Sequence, residues 1–143
     1  MVVVDLAGPN RPQTVGHKLY DMVIVDTFSL RFVVVLLAKK SDAAAELMRW
    51  IPRVEVQTGK KLHRLRSDGG EFLAADFTDW LSARGVTQEK TPSYSPQSNG
   101  IAEWANRTLQ DKARTMLLES SLPGSLWGEV ILTSCVLRLL LCL

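Results

Sequence analysis

The chain has 143 residues, 46% of them hydrophobic and 22% charged, the size and make-up of one globular domain with a core of its own. Seventeen basic and fifteen acidic residues leave a formal charge of +2, which neither requires nor forbids a polyanionic partner. This composition excludes a disordered tail, a collagen-like repeat and a disulfide-packed toxin.

The front third reads as strands. Val2-Val3-Val4-Asp5-Leu6 is β-branched and stops at Ala7-Gly8-Pro9. Leu19 to Asp26 and Phe32 to Leu37 are apolar runs around a short polar turn, the pattern of a hairpin. Ser41-Asp42 signals a helix start, and Ala43 to Gln57 follows as a helix that ends near Gly59, with Pro52 a candidate kink. Lys61 to Arg66 reads as a fourth strand, Phe72 to Arg84 as a helix closed by Gly85, and Val86 to Glu89 as a short fifth strand. Ile101 to Glu119 is a long helix, with Ala102, Ala105, Leu109, Ala113 and Met116 as its core stripe. Leu126 to Leu143 is a last, very apolar helix.

Strands joined by short turns pair antiparallel, and strands reached through helices pair parallel. The expected fold is therefore α/β: a mixed five-stranded sheet with helices packed on it. Trp50, Trp80 and Trp127 read as core anchors. No signal peptide opens the chain, and Val130 to Leu143 is too short to span a bilayer. Cys135 and Cys142 lie about 10 Å apart along a helix, too far to bridge, and read as reduced thiols. With His17 and His63 they lack the spacing of a zinc site.

Three carboxylates stand out by position. Asp5 lies within an apolar strand, Asp68 follows the fourth strand directly, and Glu103 lies in the first turn of the long helix. A carboxylate in a buried strand is costly unless it is paired or binds a metal. If the first and fourth strands are neighbours, Asp5 and Asp68 converge, and such a cluster suits hard divalent cations. Position alone leaves a plainer alternative open: a strand-end aspartate, a turn aspartate and a charge favouring a helix N-terminus.

The local words shift that balance. They are Asp5-Leu6-Ala7-Gly8-Pro9, Val25-Asp26-Thr27-Phe28-Ser29, Leu65-Arg66-Ser67-Asp68-Gly69-Gly70-Glu71-Phe72, Tyr94 through Glu103, Asn106-Arg107-Thr108-Leu109 and Ala113-Arg114-Thr115-Met116-Leu117. In this order they resemble the integrase catalytic core of copia-type LTR retrotransposons, a pattern shared with retroviral integrases. The resemblance spans about residues 3 to 135. It implies an RNase H-like fold and a polynucleotidyl transferase that uses two Mg²⁺ or Mn²⁺ ions. Asp5, Asp68 and Glu103 match the three metal-binding catalytic carboxylates. The implied reaction cuts donor DNA near its 3′ end and joins the freed hydroxyl to target DNA. Gln97, Asn99, Arg107 and Arg114 match or adjoin DNA-contacting positions, with Tyr94 to Gly100 as the active-site loop. Donor and target DNA and further copies of the chain are the implied partners, with no small-molecule cofactor and no membrane. The implied location is the nucleus or a cytoplasmic virus-like particle.

Plainer roles stay open for several positions. Arg107, four residues after Glu103, could pair with it or be solvated. Lys60, Arg64 and Arg66 could line a phosphate track or form an ordinary surface. Glu71 reads as a charge supporting the following helix, and Asp26 as a turn residue.

The chain departs from the family pattern at four places. The segment after Asp68 is one residue short, which leaves 34 residues between Asp68 and Glu103. Trp104 and Ala105 stand where basic residues are usual. The tail after Cys135 is apolar, and the expectation is a core at residues 1–143 truncated at both ends, without zinc-binding or C-terminal domains. These departures favour a second reading, an inactive integrase remnant that binds DNA or a partner integrase. A third is an RNase H-like nuclease that hydrolyses without joining.

Overall fold

The computed structural model describes residues 1–67, 70–90 and 96–141, with side chains described for all of these except 90, 96–99 and 138–141. Asp68 lies outside the described residues, and so does Cys142. The elements are β1 (Val2–Ala7), β2 (Tyr20–Asp26), β3 (Phe32–Leu37), α1 (Asp42–Thr58), β4 (Arg64–Ser67), α2 (Ala75–Ala83), β5 (Thr87–Lys90), α3 (Pro96–Ser120) and α4 (Trp127–Leu141). This is the order expected from the sequence.

The sheet runs β3-β2-β1-β4-β5. β1 and β2 pair antiparallel, with Asp5 opposite Val23 and Ala7 opposite Asp21, and β2 pairs antiparallel with β3. β1 and β4 pair parallel, with Val4 opposite Ser67, and β4 and β5 are parallel as well. The three-plus-two arrangement of the mixed sheet is the expected one.

Strand side chains alternate between faces, and each face has its own core. Val2, Val4, Met22, Ile24 and Leu65 pack with Leu47, Ile51, Phe72, Phe77 and Leu81 from the α1 and α2 side. Val3, Val23, Val25, Phe32 and Val34 pack with Ala102, Ala105, Leu109, Ala113, Val130 and Ile131 of α3 and α4. The predicted stripe of α3 is thus its buried face, with Met116 partly buried at its end. Trp127 is buried, while Trp50 and Trp80 are partly buried against the opposite core.

Local chemistry sets the boundaries. α1 continues through Pro52 and ends where Gly59, at φ +66°, donates its N–H to the Glu55 carbonyl. The Leu62 N–H is taken by Glu55 Oε1 at 2.9 Å, so β4 starts at Arg64 rather than at Lys61. Residues Gly70–Phe72 form one 3-10 turn that inserts Phe72 into the core, which delays α2 to Ala75. α3 begins at Pro96, five residues before the predicted start, where proline's missing N–H costs nothing. α4 comes close to the sheet at Gly128, where a Cβ would meet Thr14 Cγ2 at 2.7 Å and Leu36 Cδ1 at 2.8 Å. Cys135 keeps a free, buried thiol that donates to the Phe32 carbonyl at 3.4 Å, and burial pushes its pKa up. Among the described residues no helix is long and apolar enough to cross a membrane.

Candidate active site

The site is built on the sheet face that α3 covers. Asp5 shares this face with Val3, on the middle strand of the sheet. It is half-buried, and its Oδ2 accepts a hydrogen bond from Asn106 Nδ2 at 2.8 Å. Asn106 is buried on α3. Glu103 precedes it by three residues, one turn of helix, and is exposed. One stripe of α3 therefore carries Glu103 next to the amide that holds Asp5.

The third expected carboxylate, Asp68, lies outside the described residues. Its predecessor Ser67 is buried and pairs with Val4, the residue before Asp5. The expectation that the first and fourth strands are neighbours is met. No group of three or more His, Cys, Asp or Glu side chains that could hold a metal occurs among the described residues, a set without Asp68.

Asp21 is a carboxylate the sequence reading passed over. It lies on β2, on the same face as Asp5 and diagonal to it across the β1–β2 pair, and is only 1% exposed. Its Oδ1 accepts from Asn10 Nδ2 at 2.7 Å and from Gln110 Nε2 at 3.0 Å. Its Oδ2 has no hydrogen-bond partner among the described residues, and neither has Asn106 Oδ1. Burial is the main cause that raises its pKa from 3.8 to about 6, with the Asp5 charge adding to it against the two amide hydrogen bonds. The signal was available: Asp21 interrupts an apolar strand as Asp5 does. Asn106 was equally legible, three residues after Glu103 on one helix face.

The expected DNA contacts divide. Gln97 and Asn99 belong to the first turn of α3, so residues 96–100 are helix rather than loop; their side chains and residues 91–95 lie outside the described set. Arg107 and Arg114 are exposed, and neither forms an ion pair with a described residue; Arg107 is not paired with Glu103. Arg114 shares with Arg11, Asn10, Gln110, Leu117 and Trp127 an open cleft of about 290 Å³.

Lys60, Arg64 and Arg66, for which a phosphate track and an ordinary surface were both open, have partners within the chain. Lys60 precedes the strand and lies over the Phe28 ring, 5.8 Å from its centroid. Parallel pairing puts Glu89 opposite Arg66, and Glu89 takes Arg66 Nη2 at 2.7 Å and Arg64 Nη1 at 3.4 Å. The Arg66 hydrogen bond holds the Glu89 carboxyl below its usual pKa. Glu71 lies in the first turn of the 3-10 helix Gly70–Phe72 and pairs with Lys40 at 3.3 Å. Asp26 is the turn residue expected: its Oδ2 accepts from the Ser29 N–H at 3.1 Å and the Ser29 hydroxyl at 2.6 Å. Trp104 is half exposed and meets Phe32 edge-on, with ring centroids 5.9 Å apart, and Ala105 is fully buried.

The chain is 38% identical over 138 residues to the retrovirus-related Pol polyprotein from transposon TNT 1-94 of Nicotiana tabacum, which covers 96% of the chain and 10% of that protein. It is 30% identical over 137 residues to the truncated transposon Ty1-A Gag-Pol polyprotein of Saccharomyces cerevisiae, covering 94% and 12%. The chain thus spans about a tenth of the length of these relatives. No protein-family profile matches it. Among solved structures it resembles the simian T-cell lymphotropic virus intasome in complex with PP2A regulatory subunit B56 gamma, with a TM-score of 0.70, 17% identity, and coverage of 94% of this chain and 46% of that one. It also resembles the HTLV-2 integrase catalytic core domain in complex with magnesium, in its trimeric form, with a TM-score of 0.63, 18% identity, and coverage of 94% and 80%.

Proposed function

The chain belongs to the integrase catalytic cores related to retrotransposon Pol polyproteins, with an RNase H-like fold, and from that premise we propose that it is a metal-dependent polynucleotidyl transferase core of the copia type, which cuts donor DNA 3′ ends and joins them to target DNA. The observation that carries this reading is the Asn106–Asp5 hydrogen bond. It ties the middle strand to the helix stripe that bears Glu103, at the place where the strand before Asp68 lies alongside.

In this reading Asp5, Asp68 and Glu103 are the carboxylates that would hold two divalent ions. Carboxylate oxygens suit Mg²⁺ and Mn²⁺, and magnesium is present in the HTLV-2 core. Bound ions supply Lewis acidity and align the attacking and leaving oxygens of an in-line displacement. The protein's part is positional. Asn106 fixes one oxygen of Asp5, and Glu103 stands exposed one helical turn before Asn106. Arg107 and Arg114, free of carboxylate partners among the described residues, offer positive charge to a phosphodiester backbone. Gln97 and Asn99, in the first turn of α3, belong to the proposed DNA contacts. No side chain is needed as a covalent nucleophile. The intasome and the dimeric and trimeric HTLV-2 cores support DNA and further copies of the chain as partners.

One observation favours the second reading, an inactive remnant that binds DNA or a partner integrase: Trp104 and Ala105 spend on packing two positions where the family carries positive charge. Reversal of strand joining on a branched DNA substrate decides between the two. With Mn²⁺ or Mg²⁺ the chain yields metal-dependent product, and Asp68→Asn yields none. A folded, monodisperse sample that gives no product while it still binds DNA supports the remnant.

A further inference from the structure

Asp21 takes no part in the proposed chemistry, yet the fold carries it at a cost. It is buried, one of its oxygens has no partner among the described residues, and replacing a buried polar link as a whole by apolar side chains is often neutral or stabilising. What such a group supplies is direction. The seam between α3 and the sheet is made by Ala102, Ala105, Leu109 and Ala113, mostly small side chains of similar shape. Apolar packing of that kind is non-directional and holds a helix's rotation weakly. Hydrogen bonds are directional. Among the described residues such bonds cross the seam from Asn106 to Asp5 on β1 and from Gln110 to Asp21 on β2. The two donors are four residues apart, about 6 Å along the helix at 1.5 Å per residue. One such link leaves α3 able to pivot, whereas two links to neighbouring strands fix its rotation. Glu103 lies on the same stripe as both donors. Asn10, from the β1–β2 connection, holds the Asp21 carboxylate from the other side.

We propose that Asp21 is a positioning residue: held by Asn10 and bonded to Gln110, it sets the rotation of α3 and thereby keeps Glu103 on the Asp5 side of the site. This rests on the active-site reading above. It requires that stability and metal binding respond in opposite ways when the link is replaced by an apolar contact.

The test is Mn²⁺ titration of the whole chain by calorimetry, with thermal unfolding measured on the same samples. In Asp21→Leu/Gln110→Leu the folded state is as stable as the parent or more so, while Mn²⁺ affinity falls about tenfold or more, the usual effect of losing a partner that orients metal ligands. Asp21→Asn keeps an oxygen for both amide donors, and its affinity stays within about threefold of the parent. If the double variant fails to fold, Gln110→Met alone carries the test and lowers affinity in the same direction. Unchanged Mn²⁺ affinity in a folded double or Gln110→Met variant overturns the positioning role, and so does an equal loss in Asp21→Asn. A parent chain that binds no Mn²⁺ overturns the active-site reading and this inference with it.

Discussion

The two faces of the sheet come from the same strands and are built differently. On the side of α1 and α2, Val2, Val4, Met22, Ile24 and Leu65 pack into one apolar core without a carboxylate among them. On the side of α3 and α4 the apolar pattern holds at Val3, Val23 and Val25 and is then interrupted by Asp5 and Asp21, each met by an amide from α3. The first face holds the fold together. The second gives up part of its burial to fix where carboxylates and a helix stand, and the proposed chemistry lies there. A buried polar link contributes little net stability, and its worth lies in orientation.

The largest test of that contrast is on the apolar face. Leu47→Ala, at a fully buried position, is expected to lower unfolding free energy by about 2–5 kcal/mol in urea titration. A loss under 1 kcal/mol would put the fold's stability elsewhere.

Next comes pH. The Asp21 carboxyl is raised from 3.8 to about 6, so the folded state holds its proton where the unfolded chain has lost it. Its contribution is fully present below pH 4, falls as pH rises to about 6, and is flat above that. At 1.36 kcal/mol per pH unit the fall is of order 3 kcal/mol. Asp21→Asn removes this slope from the stability–pH curve, and an unchanged slope would assign it to other groups.

Smaller effects separate two sets of arginines. Arg64 and Arg66 share the single carboxylate of Glu89, while Arg107 and Arg114 have no carboxylate partner among the described residues. In fluorescence anisotropy with duplex DNA, Arg107→Gln and Arg114→Gln should each lower the salt slope of binding by about 0.9, and Arg64→Gln should leave it unchanged. The smallest effect is on stability: Glu89→Gln should cost under about 1 kcal/mol, since the pair is partly exposed.

Much of this was legible in the sequence. Element order, strand directions and the α3 stripe follow from apolar periodicity and connection length, which act locally. Boundaries moved where a distant or subtle partner intervened, as when Glu55 captured the Leu62 N–H or when Phe72 turned into the core ahead of α2. The partner of Arg66 was hidden for a similar reason: parallel pairing puts Glu89 against it, twenty-three residues away in the chain. Asp5 was found because a carboxylate in an apolar strand is costly. Asp21 met the same criterion and was passed over because no family word contains it, and its partners Asn10 and Gln110 meet it only in the folded chain.

The measurement closest to the central claim is anomalous diffraction from crystals of the chain soaked in Mn²⁺. The account predicts an anomalous peak in contact with the carboxylates of Asp5 and Asp68, lost in Asp68→Asn. A soaked crystal with ordered Asp5 and Asp68 side chains and no peak between them, or a peak that survives Asp68→Asn unchanged, would contradict it.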